Sequence, residues 1–131
     1  MRRIALLAAA VTLIAGPSAA PATAAHSSPP ASLSASVTSF SGSDCPARSL
    51  CLYRDHNFTG GGVALSADTY VGWLGDHGFN DRMSSWSNDT GQVCDWWSDS
   101  YRGGAIHDMR DGNRVQVLPS ENDTASSVEC W

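Results

Sequence analysis

The sequence predicts an all-β domain built from two consecutive Greek keys of four strands each, packed as a sandwich. Three observations lead there. No window shows a sustained 3.6-residue apolar period; short runs broken by Gly, Asn, Asp and Ser dominate. The chain also repeats: Cys51 is followed by Tyr53, Phe58, Gly60 and Gly61, and Cys94 is followed at the same offsets by Trp96, Tyr101, Gly103 and Gly104. Finally, each copy runs on to Asn-Asp-x-x-Ser-Ser, once as Asn80-Asp81-Arg82-Met83-Ser84-Ser85 and once as Asn122-Asp123-Thr124-Ala125-Ser126-Ser127. A repeat implies a repeated structural unit, and each unit is too short to bury a core alone.

The first unit, residues 45–90, is expected to hold strands at 50–55, 61–66, 70–74 and 84–88. The second, residues 91–131, is expected to hold them at 93–98, 104–109, 113–118 and 126–131. Gly60-Gly61-Gly62 and Gly103-Gly104 permit positive φ where a hairpin folds over. Val115-Gln116-Val117-Leu118 alternates and stops at Pro119, and Asp111-Gly112-Asn113 signals a turn. The spacing puts Tyr53 with Phe58, and Trp96 with Tyr101, around the first hairpin of each unit. Trp86 and Val128 follow their Ser-Ser pairs at the same offset and are expected in the core between the sheets.

Ahead of this lies a basic start, Met1-Arg2-Arg3, an apolar run from Ile4 to Ala15, and Ala22-Thr23-Ala24. That pattern is expected to be a secretory signal peptide, residues 1–25, too short to span a bilayer. Residues 26–44, rich in Ser, Pro and Ala, read as a flexible linker. The folded domain is expected over 45–131, soluble and extracellular.

An oxidising compartment suits the four cysteines, all of which lie in the folded part. Four cysteines allow three pairings. Cys45–Cys51, a tight local loop, with Cys94–Cys130, a tie between the second unit's first and last strands, is favoured. Zinc is the rival reading, but His26, His56, His77 and His107 form no ligand-spaced pair. Net charge is −5, and loss of Arg2 and Arg3 with the leader makes it −7. With no lysine and no basic stripe, nucleic acid is an improbable partner.

An amide oxygen, a carboxylate and a hydroxyl within one turn are the ligands a hard cation such as calcium takes. The aromatic-x4-aromatic-x-Gly hairpins, Tyr53 to Gly60 and Trp96 to Gly103, together with the duplicated Asn-Asp-x-x-Ser-Ser, resemble the signature of the βγ-crystallin superfamily across 45–131. The opening Cys45-Pro46-Ala47-Arg48-Ser49-Leu50-Cys51-Leu52-Tyr53 is similar to that of small secreted actinobacterial peptidase inhibitors, a metalloproteinase-inhibitor family (family 36) with a crystallin-like fold. The superfamily resemblance implies up to two weak calcium sites. One would take the Arg82 carbonyl, the Ser84 hydroxyl and Asp123; the other would take the Thr124 carbonyl, the Ser126 hydroxyl and Asp81. A hairpin-loop carbonyl and water complete each site, while Asn80 and Asn122 orient the corner. In crystallin folds the motif serines, Ser84 and Ser85 here with Ser126 and Ser127, also cap the hairpin.

The function expected from these readings is a secreted, monomeric, calcium-binding inhibitor of an extracellular peptidase, with no nucleic acid or membrane partner. The alternative is a cell-wall or glycan-binding module with an antimicrobial role, stacking on Trp73, Trp97 or Trp131, with Trp96 assigned to the core. An enzyme is not expected, since no Gly-x-Ser-x-Gly, His-Glu-x-x-His or phosphate-cradling loop is present.

Overall fold

The structure, a computed structural model, describes residues 35–131. The expected leader, and the linker as far as residue 34, lie outside the described residues. Nine strands follow in order: β1 (Val37–Phe40), β2 (Leu50–Asp55), β3 (Thr59–Leu65), β4 (Tyr70–Val71), β5 (Ser85–Asn88), β6 (Cys94–Asp99), β7 (Gly103–Met109), β8 (Arg114–Gln116) and β9 (Ser127–Cys130). They form an antiparallel five-stranded sheet, β1-β3-β2-β5-β8, and an antiparallel four-stranded sheet, β4-β9-β6-β7. Each unit lends its third strand to the other's sheet. β4 of the first unit pairs with β9, and β8 of the second pairs with β5. The exchange locks the two Greek keys into one sandwich, the all-β crystallin-like architecture expected.

Inward-facing residues follow the two-residue period of the strands. Leu50 and Leu52 of β2, Val63 and Leu65 of β3, Cys94 and Trp96 of β6 and Val128 of β9 join Trp86, Phe79 and Met83 in one buried cluster. Burying a Leu, Val or Phe side chain contributes about 1.5–3 kcal/mol, so this inner layer is the main source of stability. The disulfides are Cys45–Cys51 and Cys94–Cys130. The second sits in the core, joining directly opposed residues of β6 and β9.

Three expectations need correction. The first is the boundary at residue 45. β1 belongs to the folded part and pairs with β3 through Val37↔Leu65 and Phe40↔Gly62. The Ser-rich composition hid a short β-prone run, Val37-Thr38-Ser39-Phe40. Its alternation sends Val37 against the core and Phe40 onto Tyr53, with ring centroids 5.1 Å apart. The second concerns lengths. β4 covers only Tyr70–Val71 of the expected 70–74, because the chain turns into a 3-10 helix, Leu74–His77, closed by Gly78 at φ 64°. β8 likewise covers only Arg114–Gln116 of the expected 113–118.

The third is the register of the repeat. Each first hairpin carries a bulge, between Tyr53 and Asp55 in one unit and between Trp97 and Asp99 in the other. The folded-over turns match as Asn57 with Tyr101, Phe58 with Arg102 and Gly60 with Gly104, all at positive φ. Tyr53 therefore corresponds to Trp97, not Trp96, and Cys51 corresponds to Asp95, not Cys94. A slip of one residue along a strand exchanges faces. Trp96 is thus a core residue and the counterpart of Leu52. Tyr53 and Phe58 do pack edge-to-face at 5.8 Å. Among the described residues the expected Trp96–Tyr101 pair is absent; Trp96 stacks on His107 instead, and Tyr101 is 72% exposed.

Candidate metal corner between the two motifs

Asp81 and Asp123 stand at the same point of the two Asn-Asp-x-x-Ser-Ser stretches, at φ 52° and 58°. Aspartate tolerates this left-handed conformation better than most residues. It turns each backbone N–H across to the other unit. Asp81 N–H donates to the Ala125 carbonyl and Asp123 N–H donates to the Met83 carbonyl, both at 3.0 Å. These reciprocal bonds relate the corners by a pseudo-twofold axis and bring the motifs together. Asn80, Asp81, Arg82 and Asp123 line one cavity of about 440 Å³.

The two serines of each motif divide their work. The second of each pair folds the hairpin. Ser85 Oγ donates to the Asp55 carbonyl at 2.7 Å and accepts from Phe58 N–H at 3.2 Å. Ser127 Oγ does the same with the Asp99 carbonyl at 2.7 Å and Arg102 N–H at 3.1 Å. The first of each pair, Ser84 or Ser126, is buried. Ser126 Oγ donates to Asp81 Oδ1 at 3.3 Å, so one expected ligand pair meets across the axis. In the other corner Asp123 Oδ2 instead accepts from Asn122 Nδ2 at 2.8 Å.

The supporting residues are tied in turn. Asn80 Oδ1 accepts from Trp73 Nε1 at 3.1 Å, and Thr124 Oγ1 donates to the Glu121 carbonyl at 2.7 Å. Asn122 Oδ1 is buried with no hydrogen-bond partner among the described residues. An acceptor left so is expensive unless something donates to it or coordinates it. The oxygen-rich donor set of the Asp81–Ser126 corner fits a hard cation. Among the described residues no three His, Cys, Asp or Glu side chains cluster tightly enough to hold a metal by themselves. A cation here would therefore depend on backbone carbonyls, hydroxyls and few carboxylates, which makes for weak binding. Arg54 and Asp55, from the first hairpin, also line the cavity. Nothing in the repeat pattern singled them out, because they reach the corner only once the hairpin folds over.

A second polar feature escaped the sequence reading. Asp95 is 3% exposed, and its Oδ1 has no partner among the described residues. It lies between Asp108 of β7 and Glu129 of β9 in direct register. Burial foremost, then the charge and hydrogen bond of Asp108 and the charge of Glu129, push its carboxyl up to about 6. Arg102 engages Glu129 through both carboxylate oxygens and lies over the Tyr70 ring, 4.2 Å from its centroid. Trp97, expected to be exposed, is only 6% exposed and lies 6.4 Å from Trp131. Trp97 therefore offers no stacking face, whereas the other two candidates, Trp73 and Trp131, are 43% and 56% exposed.

Comparison with known proteins bears on both fold and lineage. The family model described as peptidase inhibitor family I36 matches residues 38–109, more than half of the chain. A structure described under the evolution of the eye lens βγ-crystallin domain fold superposes with TM-score 0.63 at 24% identity, covering 73% of this chain and 97% of that one. A βγ-crystallin from Ciona intestinalis gives TM-score 0.52 at 26% identity, over 63% of this chain and 99% of its own. Spherulin 3a from Physarum polycephalum gives 0.54 at 22%, over 72% and 93%. A search of curated proteins finds no match.

Proposed function

This chain belongs to peptidase inhibitor family I36, and from that membership we propose that it is a secreted inhibitor of an extracellular peptidase of the metallopeptidase class, steadied by weakly bound calcium. The family match over residues 38–109 carries the reading. A small sandwich stapled by Cys45–Cys51 and Cys94–Cys130 supports it, because a pre-organised surface loses little conformational entropy on docking. The disulfides and the leader-like N-terminus support an extracellular setting.

For calcium, the support is the Asp81 carboxylate facing the Ser126 hydroxyl. Arg82 and Thr124 would add backbone carbonyls, and Ser84 with Asp123 would form the second site. When bound, the ion would neutralise carboxylates that the two motifs bring together. With about one carboxylate per site, dissociation constants of roughly 10⁻⁵–10⁻³ M are expected.

Titration against a panel of metallo- and serine peptidases tests inhibition. Near-stoichiometric loss of activity in a metallopeptidase is expected, and activity unchanged across both classes would overturn the reading. Calorimetric melting in calcium and in chelator tests the metal. A ligand bound only by the native state raises the midpoint in step with its concentration; an identical midpoint in both would remove calcium from the proposal.

A further inference from the structure

The two sheets are built alike except at one edge. Under the pseudo-twofold, β3-β2-β5-β8 matches β7-β6-β9-β4, yet among the described residues only the first has a strand, β1, beyond its β3 edge. β7 is a seven-residue edge strand, Gly103–Met109, without Pro or Lys. Natural sheets blunt such edges with short strands, prolines or lysines. The other free edges follow that rule, with β4 two residues long, β8 three and β1 four.

The backbone groups on this edge can be assigned. Cys94 and Cys130 face each other with Cα atoms 4.0 Å apart, the spacing of a non-hydrogen-bonded antiparallel pair. Cys94 and Trp96 therefore turn their N–H and C=O groups to β7, onto Met109 and His107. Ile106 and Asp108 turn theirs outward. A cleft of about 510 Å³ runs beside this edge, between β7 (Ile106, His107, Asp108) and β8 (Val115), with Trp86 at its floor. In its lining, His107 Nδ1 lies 3.2 Å from Glu121, and Arg110 lies 4.0 Å from Asp108.

β1 shows what such an edge takes. It is extended, uncharged and antiparallel to β3, and it sends Val37, opposite Leu65, against the core. The counterpart of Leu65 is Met109. We infer that the β7 edge is where the protein docks its peptidase, taking an extended, uncharged segment of the enzyme as an added antiparallel strand with an apolar side chain opposite Met109. This rests on the inhibitor reading above. Strand addition gives affinity through backbone bonds and specificity through the adjoining pocket.

The test uses the full chain against each peptidase that it inhibits. Ile106→Pro removes an outward N–H and leaves the β6 ladder intact. Val115→Arg obstructs the cleft from β8 without touching β7. With melting midpoints near wild type, either variant is expected to raise the inhibition constant at least tenfold. Hydrogen exchange is expected to show the Ile106 and Asp108 amides protected only in the complex. If both folded variants inhibit as well as wild type, this docking surface is wrong while the inhibitor reading stands. If the wild type inhibits nothing, both fall. If light scattering shows a dimer that either variant dissociates, the occupant is a second copy and the inference is overturned.

Discussion

On the outer face of the five-stranded sheet, Cys51, Tyr53 and Ala64 are buried beneath Phe40, Cys45 and Phe58. At the corresponding places the four-stranded sheet carries Asp95, Trp97 and Asp108, with Arg102 where Phe58 stands. The backbone frame is the same, down to the bulge, the folded hairpin and the serine that fastens it. What differs is the cover. One face is closed by an added strand and a local disulfide; the other is charged and, among the described residues, keeps a free edge. Fold and cover are thus separable: inner residues and corner serines hold the frame, and the outer faces have diverged over it.

The disulfides offer the largest test of that separation. Cys94–Cys130 closes a loop of sequence separation 36 and lies in the shared core, whereas Cys45–Cys51 has separation 6 and belongs to the cover. Loop-closure entropy alone makes the first worth about 4 kcal/mol and the second about 2 kcal/mol. Denaturant unfolding of Cys94→Ala/Cys130→Ala is expected to show the greater loss, increased by the core volume removed. Equal losses would mean that the cover is as much part of the frame as the core is.

Next in size is Asp95, the counterpart of a disulfide cysteine. Its folded-state pKa, about 6, lies above the usual 3.8, so between these values the native state binds more protons than the unfolded one. Its contribution therefore falls as pH rises from about 4 to about 6, and stays at its lowest above that. The shift corresponds to about 3 kcal/mol. Asp95→Asn is expected to match wild type near pH 3.5 and to exceed it by up to that amount at pH 7.5, as read from urea midpoints. A difference that does not change with pH would show that Asp95 ionises freely on an open face.

Much of this frame was legible beforehand. The apolar alternation located eight of the nine strands, and the duplicated Asn-Asp-x-x-Ser-Ser located the meeting of the two units. The register of the repeat was not legible, because two cysteines at similar positions invited alignment on each other. Their chemistry is the same but they face opposite sides, Cys51 outward and Cys94 inward. β1 was concealed by serines, which say little about a strand that one valine and one phenylalanine anchor. Asp95 was unreadable for another reason. Its neighbours Asp108 and Glu129 come from two other strands, and no local pattern reports that. At the corner, the asymmetry between Asp81 and Asp123 arises from an asparagine that folds back on its neighbour in one copy only.

The smallest expected effect bears on what the two units still share. Ser85 and Ser127 are each fully buried, and each makes one bond to a bulge carbonyl and one from a hairpin N–H. Replacing either by alanine leaves those two backbone groups without their partner, at a cost of about 2 kcal/mol. If the frame is independent of its cover, Ser85→Ala and Ser127→Ala should lose the same stability, although one hairpin lies under Phe40 and Phe58 and the other under Arg102. Urea unfolding of the two variants measures this directly. A Ser127→Ala loss well below that of Ser85→Ala would show that the uncovered hairpin lets water replace the hydroxyl, making the exposed face a weaker copy of the first rather than an equal one.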